Sequence, residues 1–201
     1  MNIFTLSYLK EFFERNKTLL LISLGIFIAS LIVGAIYGYF MVGGKTGLLS
    51  AIISSAPNKT VNPNYDPVEL FIHNFTVDIL IILGGLVLSI FSVFSAILNG
   101  FSIGTSLGMD VPFFVVGVMP HGIIEYAATI FPLTGAFILT KLEIIVFKAF
   151  INKNQSVKEV LKDNKVKITD IILIIIIDIV LLAIAAIIEG FITGRLLLAA
   201  F

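Results

Sequence analysis

TLLLISLGIFIASLIVGAIYGYFMVGG, residues 18–44, decides the fold class. It holds no charged side chain. It is longer than the ~20 apolar residues a helix needs to cross a bilayer core. It is also too long for the apolar region of a signal peptide, and no small-residue cleavage site follows a shorter one. It therefore reads as a retained anchor. The rest of the chain has the same character: of 201 residues, 58% are hydrophobic and 13% charged, with mean hydropathy +1.10. A soluble domain holds about 25% charged residues and about 45–50% apolar ones. A soluble core cannot absorb that excess, so the bilayer acts as the solvent and lipid is the surrounding partner. The expectation is an all-α, polytopic bundle forming a single transmembrane domain over residues 1–201.

Upstream of the anchor, Phe4, Tyr8, Leu9, Phe12 and Phe13 recur at helical spacing, with Lys10, Glu11, Glu14 and Arg15 on the other side. Residues 1–17 read as a short amphipathic helix in the interface, or as the solvated start of the first span. Span 1 is expected over 19–41. Residues 43–66 form a loop with Gly43-Gly44, Pro57 and Pro63, and Leu48–Ile53 within it is too short to span. Asp66-Pro67-Val68-Glu69 is a helix start, with Asp at the N-cap and Pro in the first turn. Span 2 is expected to run from there to about Leu98, ending at Asn99-Gly100. Gly100, Gly104 and Gly108, four residues apart, make a flat face suited to helix packing. Asp110 and Pro112 interrupt that segment, so 100–119 reads as a broken third helix. The fourth span starts at Gly122 and is kinked by Pro132. A fifth runs from about Ile168 to Ile192.

Orientation comes from the cations. Residues 1–18 and the segment 141–167 hold ten of the thirteen Lys and Arg. The positive-inside rule puts that end, and the N-terminus, in the cytoplasm of a multi-pass cell-membrane protein. Five spans then place the C-terminus outside and make 43–66 extracytoplasmic.

The absence of Cys excludes disulfides, thiolate metal sites and a Cys nucleophile. No basic domain or nucleic-acid motif occurs, and neither a P-loop nor a G-x-S-x-G elbow. The chemistry-bearing residues are polar groups in apolar surroundings. Pro120-His121-Gly122-Ile123-Ile124-Glu125 puts His121 and Glu125 on one helical face. His73, Asn74, Val77 and Asp78 share a face at the entry of span 2, and Glu189 closes span 5. Threaded through the topology, His73, Asn74, His121, Glu125 and Glu189 gather in the outer leaflet as a polar cluster. His121 and Glu125 are the candidates for acid–base catalysis. His73, His121, Glu125 and Glu189 are the candidate ligands for a metal, with zinc the ion such donors suit. No spacing here matches a zinc signature, and a hydrogen-bonded network that fixes helix register explains the same residues. Asp178 lies deeper and stands alone.

Asn99-Gly100 with Gly104, then Pro120 to Glu125, then Gly135, and finally Ile188-Glu189-Gly190-Phe191-Ile192-Thr193 resemble the stage II sporulation protein M family. His73-Asn74 resembles an earlier polar position of that family, and the likeness spans roughly residues 65–195. The family's terminal Glu-x-Phe-x-Thr is commonly followed by Pro, where this chain has Gly194-Arg195. The resemblance implies a polytopic membrane protein, and in spore formers one that works with peptidoglycan-degrading partners. Relatives in non-sporulating bacteria and archaea mean that the sporulation role is not carried over. Three functional readings stand: a membrane scaffold or complex subunit, self-associating or bound to a membrane partner; a metal-dependent intramembrane enzyme; and a small-substrate transporter.

Overall fold

A computed structural model of the chain describes residues 3–42, 44, 65–152 and 155–200. The described residues form six helices and no strand: α1 Leu6–Met41, α2 Pro67–Val87, α3 Ile90–Met109, α4 Val111–Asn152, α5 Val157–Asp163 and α6 Lys165–Ala200. All but α5 are long and apolar enough to cross a membrane, which gives five spans. The loop expected over 43–66, with Leu48–Ile53 inside it, falls for the most part outside the described residues.

Residues 6–17 do not form a helix of their own. Nothing between Leu6 and Met41 breaks helical geometry, so they are the first turns of α1, capped by the Thr5 hydroxyl accepting from the Tyr8 N–H. Tyr8 and Phe12 are buried in a core with Ile82, Ile138, Leu173 and Ile174, while Phe4, Leu6 and Phe13 stay exposed.

The middle of the chain departs from the sequence expectation. Span 2 does not continue to Leu98. It tightens over Gly84–Val87, then reverses through Leu88 and Ser89, both left-handed at φ 53° and 56°. Such conformations cost non-glycine residues free energy and persist only where surroundings enforce them. Here three hydroxyls do so. Ser92 donates to the Ile81 carbonyl at 2.6 Å, Thr140 donates to the Gly85 carbonyl at 2.7 Å, and Ser89 and Thr140 share a bond at 2.7 Å. A side chain at Gly85 would run into Ala136 and Leu139 of α4, so the reversal sits tightly on that helix.

It follows that Asn99 and Gly100 are mid-helix in α3, which is unbroken. The interruption at Asp110 is the junction between two spans. Asp110 caps α4 by accepting from the Phe113 N–H at 2.9 Å, and Pro112 occupies the first turn, where its missing N–H is no loss. α4 thus begins at Val111 and not at Gly122. It widens over Phe114–Val118 immediately before Pro120, then runs through buried Pro132. At ~1.5 Å per residue its 42 residues reach far beyond a ~30 Å core, and its last turns carry the lysine-rich segment.

α1 and α3 run parallel and make the closest helix contact. Gly34 and Gly38 of α1 abut the backbone at Phe101 and Thr105, while Gly100, Gly104 and Gly108 meet Ser30, Leu31 and Ala35. α4 packs against α6, and α2 lies over both. At the lysine-bearing end, buried Asp170 of α6 ties α1 down. It accepts from the Tyr8 hydroxyl at 2.8 Å, from Arg15 at 2.8 and 3.3 Å and from the Asn16 amide at 2.9 Å.

Candidate functional site

Polar side chains from four spans converge at mid-bundle. α2 contributes His73, Asn74 and Asp78; Asn74 and Asp78 are four residues apart and share a face. α3 contributes Asn99, and α4 contributes Glu125 and Thr129, again four apart. With Val77 and Leu182 they enclose a cavity of about 150 Å³. That is room for several waters. His73 is exposed and also lines a neighbouring cavity of about 260 Å³ with Tyr65, Asp66, Glu69 and Leu70. His73 is the lining residue that the two cavities share. No Lys or Arg lines either of them.

Within the chamber the Asn74 amide donates to Glu125 Oε1 at 2.7 Å. The Asn99 amide donates to the Thr129 hydroxyl at 2.9 Å, and that hydroxyl donates to the Glu125 carbonyl at 3.2 Å. Behind Asp78 stands Asp178 of α6, fully buried. No donor among the described residues reaches either of its carboxylate oxygens. Its polar neighbour is the Asp78 carboxyl of α2, close enough for the two acids to act on each other. Asp178 is therefore not alone, because α2 and α6 each carry one acid at the same depth. Two carboxylates accept only, so this contact needs a shared proton or a cation.

The expected cluster divides into two groups. Glu125 joins His73 and Asn74 in the chamber. His121, one helical turn earlier in α4, turns to α6: its Nδ1 lies 3.1 Å from the Thr193 hydroxyl and its Nε2 lies 3.9 Å from Glu189 Oε2. Both sides of that second contact follow from helix widening. α4 widens just before His121, over Phe114–Val118. α6 widens over Glu189–Thr193, which aims Glu189 and Thr193 at His121. Wide turns of this kind occur frequently at functional sites. Among the described residues no three His, Asp or Glu side chains assemble into a group that could hold a metal ion.

Asp78, Asn99, Thr129 and Thr193 had no place in the expected cluster. Asp78 shares a face with Asn74, which was the available signal. In the sequence Asn99-Gly100 has the form of a span end, and hydroxyl residues give no signal of their own. Gly100, Gly104 and Gly108 lie on the α1 contact within the same chain.

The fold and the chamber define a class: a multi-pass helical membrane protein with acids and amides lining a chamber between its helices. The chain belongs to the stage II sporulation protein M family, whose family model matches residues 18–194. No curated protein and no solved structure matches it.

Proposed function

We propose that the chain is a carrier-type membrane protein that takes a small cation or cationic solute into the chamber. The observation that carries this reading is the chamber wall. Asp78 and Glu125 line it, Asp178 backs it, and no Lys or Arg compensates them. Carboxylates at this depth are costly unless paired, so protons or a cation must neutralise them. The positive-inside rule supports a cytoplasmic N-terminus, an outer C-terminus and a chamber mouth facing outward across the cell membrane. The test is thermal denaturation of purified protein with sodium, potassium, magnesium, calcium or an organic diamine. A ligand at a hundredfold its Kd adds about 2.7 kcal/mol, which is about 5–10 °C in Tm for a chain of this size. One cation should give that shift, and Asp78→Asn or Glu125→Gln should remove it. No shift with any of them, or a shift that survives both substitutions, refutes the reading.

The scaffold reading rests on a different feature. An apolar groove of about 420 Å³ near the lysine-bearing end is lined by Leu86, Leu139, Phe147, Phe150 and Leu161. Glu143 sits in it with Oε2 buried and unpartnered. The groove suits a partner's apolar helix carrying one Lys or Arg. Crosslinking from position 147 in native membranes tests it. Self-association through Gly100, Gly104 and Gly108 loses its support, since α1 already covers them. A zinc enzyme would need His73, His121, Glu125 and Glu189 around one ion, and metal analysis of wild type beside His121→Ala tests that reading.

A further inference from the structure

At the lysine-bearing end, a cavity of about 380 Å³ opens between α1, α4 and α6. Arg15, Lys141 and Lys167 line it, and Leu19, Ile138 and Val166 supply apolar wall. Its one acid is Asp170. That carboxylate is already saturated by Tyr8, Arg15 and Asn16, so it neutralises Arg15 and leaves the lysines uncompensated. Lys167 is steadied by donating to Asn164 Oδ1 at 2.8 Å. Lys141 has no hydrogen bond or ion pair among the described residues.

The cavity's depth is marked by sequence on all three helices. Arg15 lies just before the charge-free run 18–44. Lys141 follows the apolar length of α4, and Lys167 precedes that of α6. The cavity therefore lies where headgroups meet hydrocarbon. Basic pockets between spans at this level suit phosphate headgroups, and the flanking apolar wall suits the start of an acyl chain. We propose that this cavity binds the headgroup of an anionic phospholipid, with Lys141 and Lys167 on the phosphate and Arg15, held by Asp170, at the rim.

The purified full chain would be placed in bilayer discs of phosphatidylcholine with a minor fraction of phosphatidylglycerol, and the lipid retained on release would be weighed by native mass spectrometry. The expected result is enrichment of phosphatidylglycerol over its bulk fraction. Near an anionic surface each lysine is worth a factor of about five, so Lys141→Gln with Lys167→Gln should lower that enrichment about 25-fold. The circular dichroism melt of the double variant beside wild type is the folding control, and it should be unchanged because Lys141 is exposed and unpartnered among the described residues and Lys167 bonds only Asn164 within the same chain segment. Equal retention of the two lipids, or enrichment unaffected in the double variant, overturns the proposal. In detergent without lipid, inorganic phosphate should raise the Tm less than phosphatidylglycerol does. An equal rise would assign the cavity to free phosphate and overturn the lipid assignment.

Discussion

Gly104→Ala isolates the contact that fixes the first and third spans. A Cβ at Gly104 would stand 2.8 Å from the Leu31 carbonyl carbon and 2.9 Å from the Ala35 nitrogen, and would press hardest on the Leu31 carbonyl oxygen. All three are backbone atoms, so no rotamer change relieves the clash. Helices α1 and α3 must separate, and the neighbouring contacts at Gly100 and Gly108 separate with them. Overpacking of this kind costs about 1–3 kcal/mol. At about 2–4 °C per kcal/mol for a chain of this size, the Tm should fall by about 2–12 °C. The same substitution at Gly25 of α1 is the matched control. A Cβ there meets nothing within 4 Å, and Ala is the better helix former by up to about 1 kcal/mol. Circular dichroism melts in one detergent, on Gly104→Ala and Gly25→Ala side by side, give the comparison. If Gly104→Ala melts with or above Gly25→Ala, the parallel packing of α1 on α3 is wrong.

Other expectations are quickly stated. The chain has no native Cys, so single cysteines report topology directly: a Cys at Lys59 should react with an impermeant maleimide only from outside, and a Cys at Lys158 only from inside. Labelling of both from one side defeats the orientation. Asp178→Asn should fold as well as wild type, because its amide donates to Asp78 where the carboxylate could not; a collapse of the melt would show that Asp178 needs its charge. Glu159 caps α5, and hydrogen bonds from the Ser156 N–H and hydroxyl hold its carboxyl below the usual glutamate range. Its contribution is therefore complete above the ordinary glutamate pKa and is lost only as pH falls through the lowered value. The protection of the Ser156 amide relative to its intrinsic exchange rate should hold at pH 5 and fall in stronger acid, and a fall already at pH 5 would contradict the cap.

The five spans were legible because apolar length and charge placement are one-dimensional. The boundaries between Pro67 and Pro120 were not. From Ile79 to Leu98 the sequence is apolar without a Pro or a charge, and its one turn signal, Gly84-Gly85, is weak because membrane helices also carry glycine. The turn at Gly84–Ser89 depends on Thr140 from a distant helix and on the close approach of Gly85 to Ala136. Once that reversal went unseen, Asn99-Gly100 became a false end and Pro112 a false break. Yet Asp110-Val111-Pro112 has the same form as Asp66-Pro67, an acid cap followed by Pro in the first turn. Asp66-Pro67 read correctly because a polar loop precedes it. At Asp110 the preceding segment is apolar.

The site was half visible for a related reason. Spacing within a helix sets which side chains share a face, and it gave His121 with Glu125. It does not set how a helix widens, and the wide turn over Glu189–Thr193 aims Thr193 and Glu189 at His121. Glu125 is left to Asn74 of α2. Asp178 shows the converse. A lone acid in a run of isoleucines has no explanation within its own span, and so requires a partner from another. α2 holds one acid at matching depth, Asp78, and the two lie near each other. Had the only aim been to satisfy Asp178, a single Asn or Ser on α2 would have done so with a donor. A second carboxyl in that place supplies no donor, and Glu125 adds a third acid to the same region. Asp78 and Glu125 in the chamber wall, with Asp178 behind them and no Lys or Arg in the lining, are the observation on which the proposed cation reading rests.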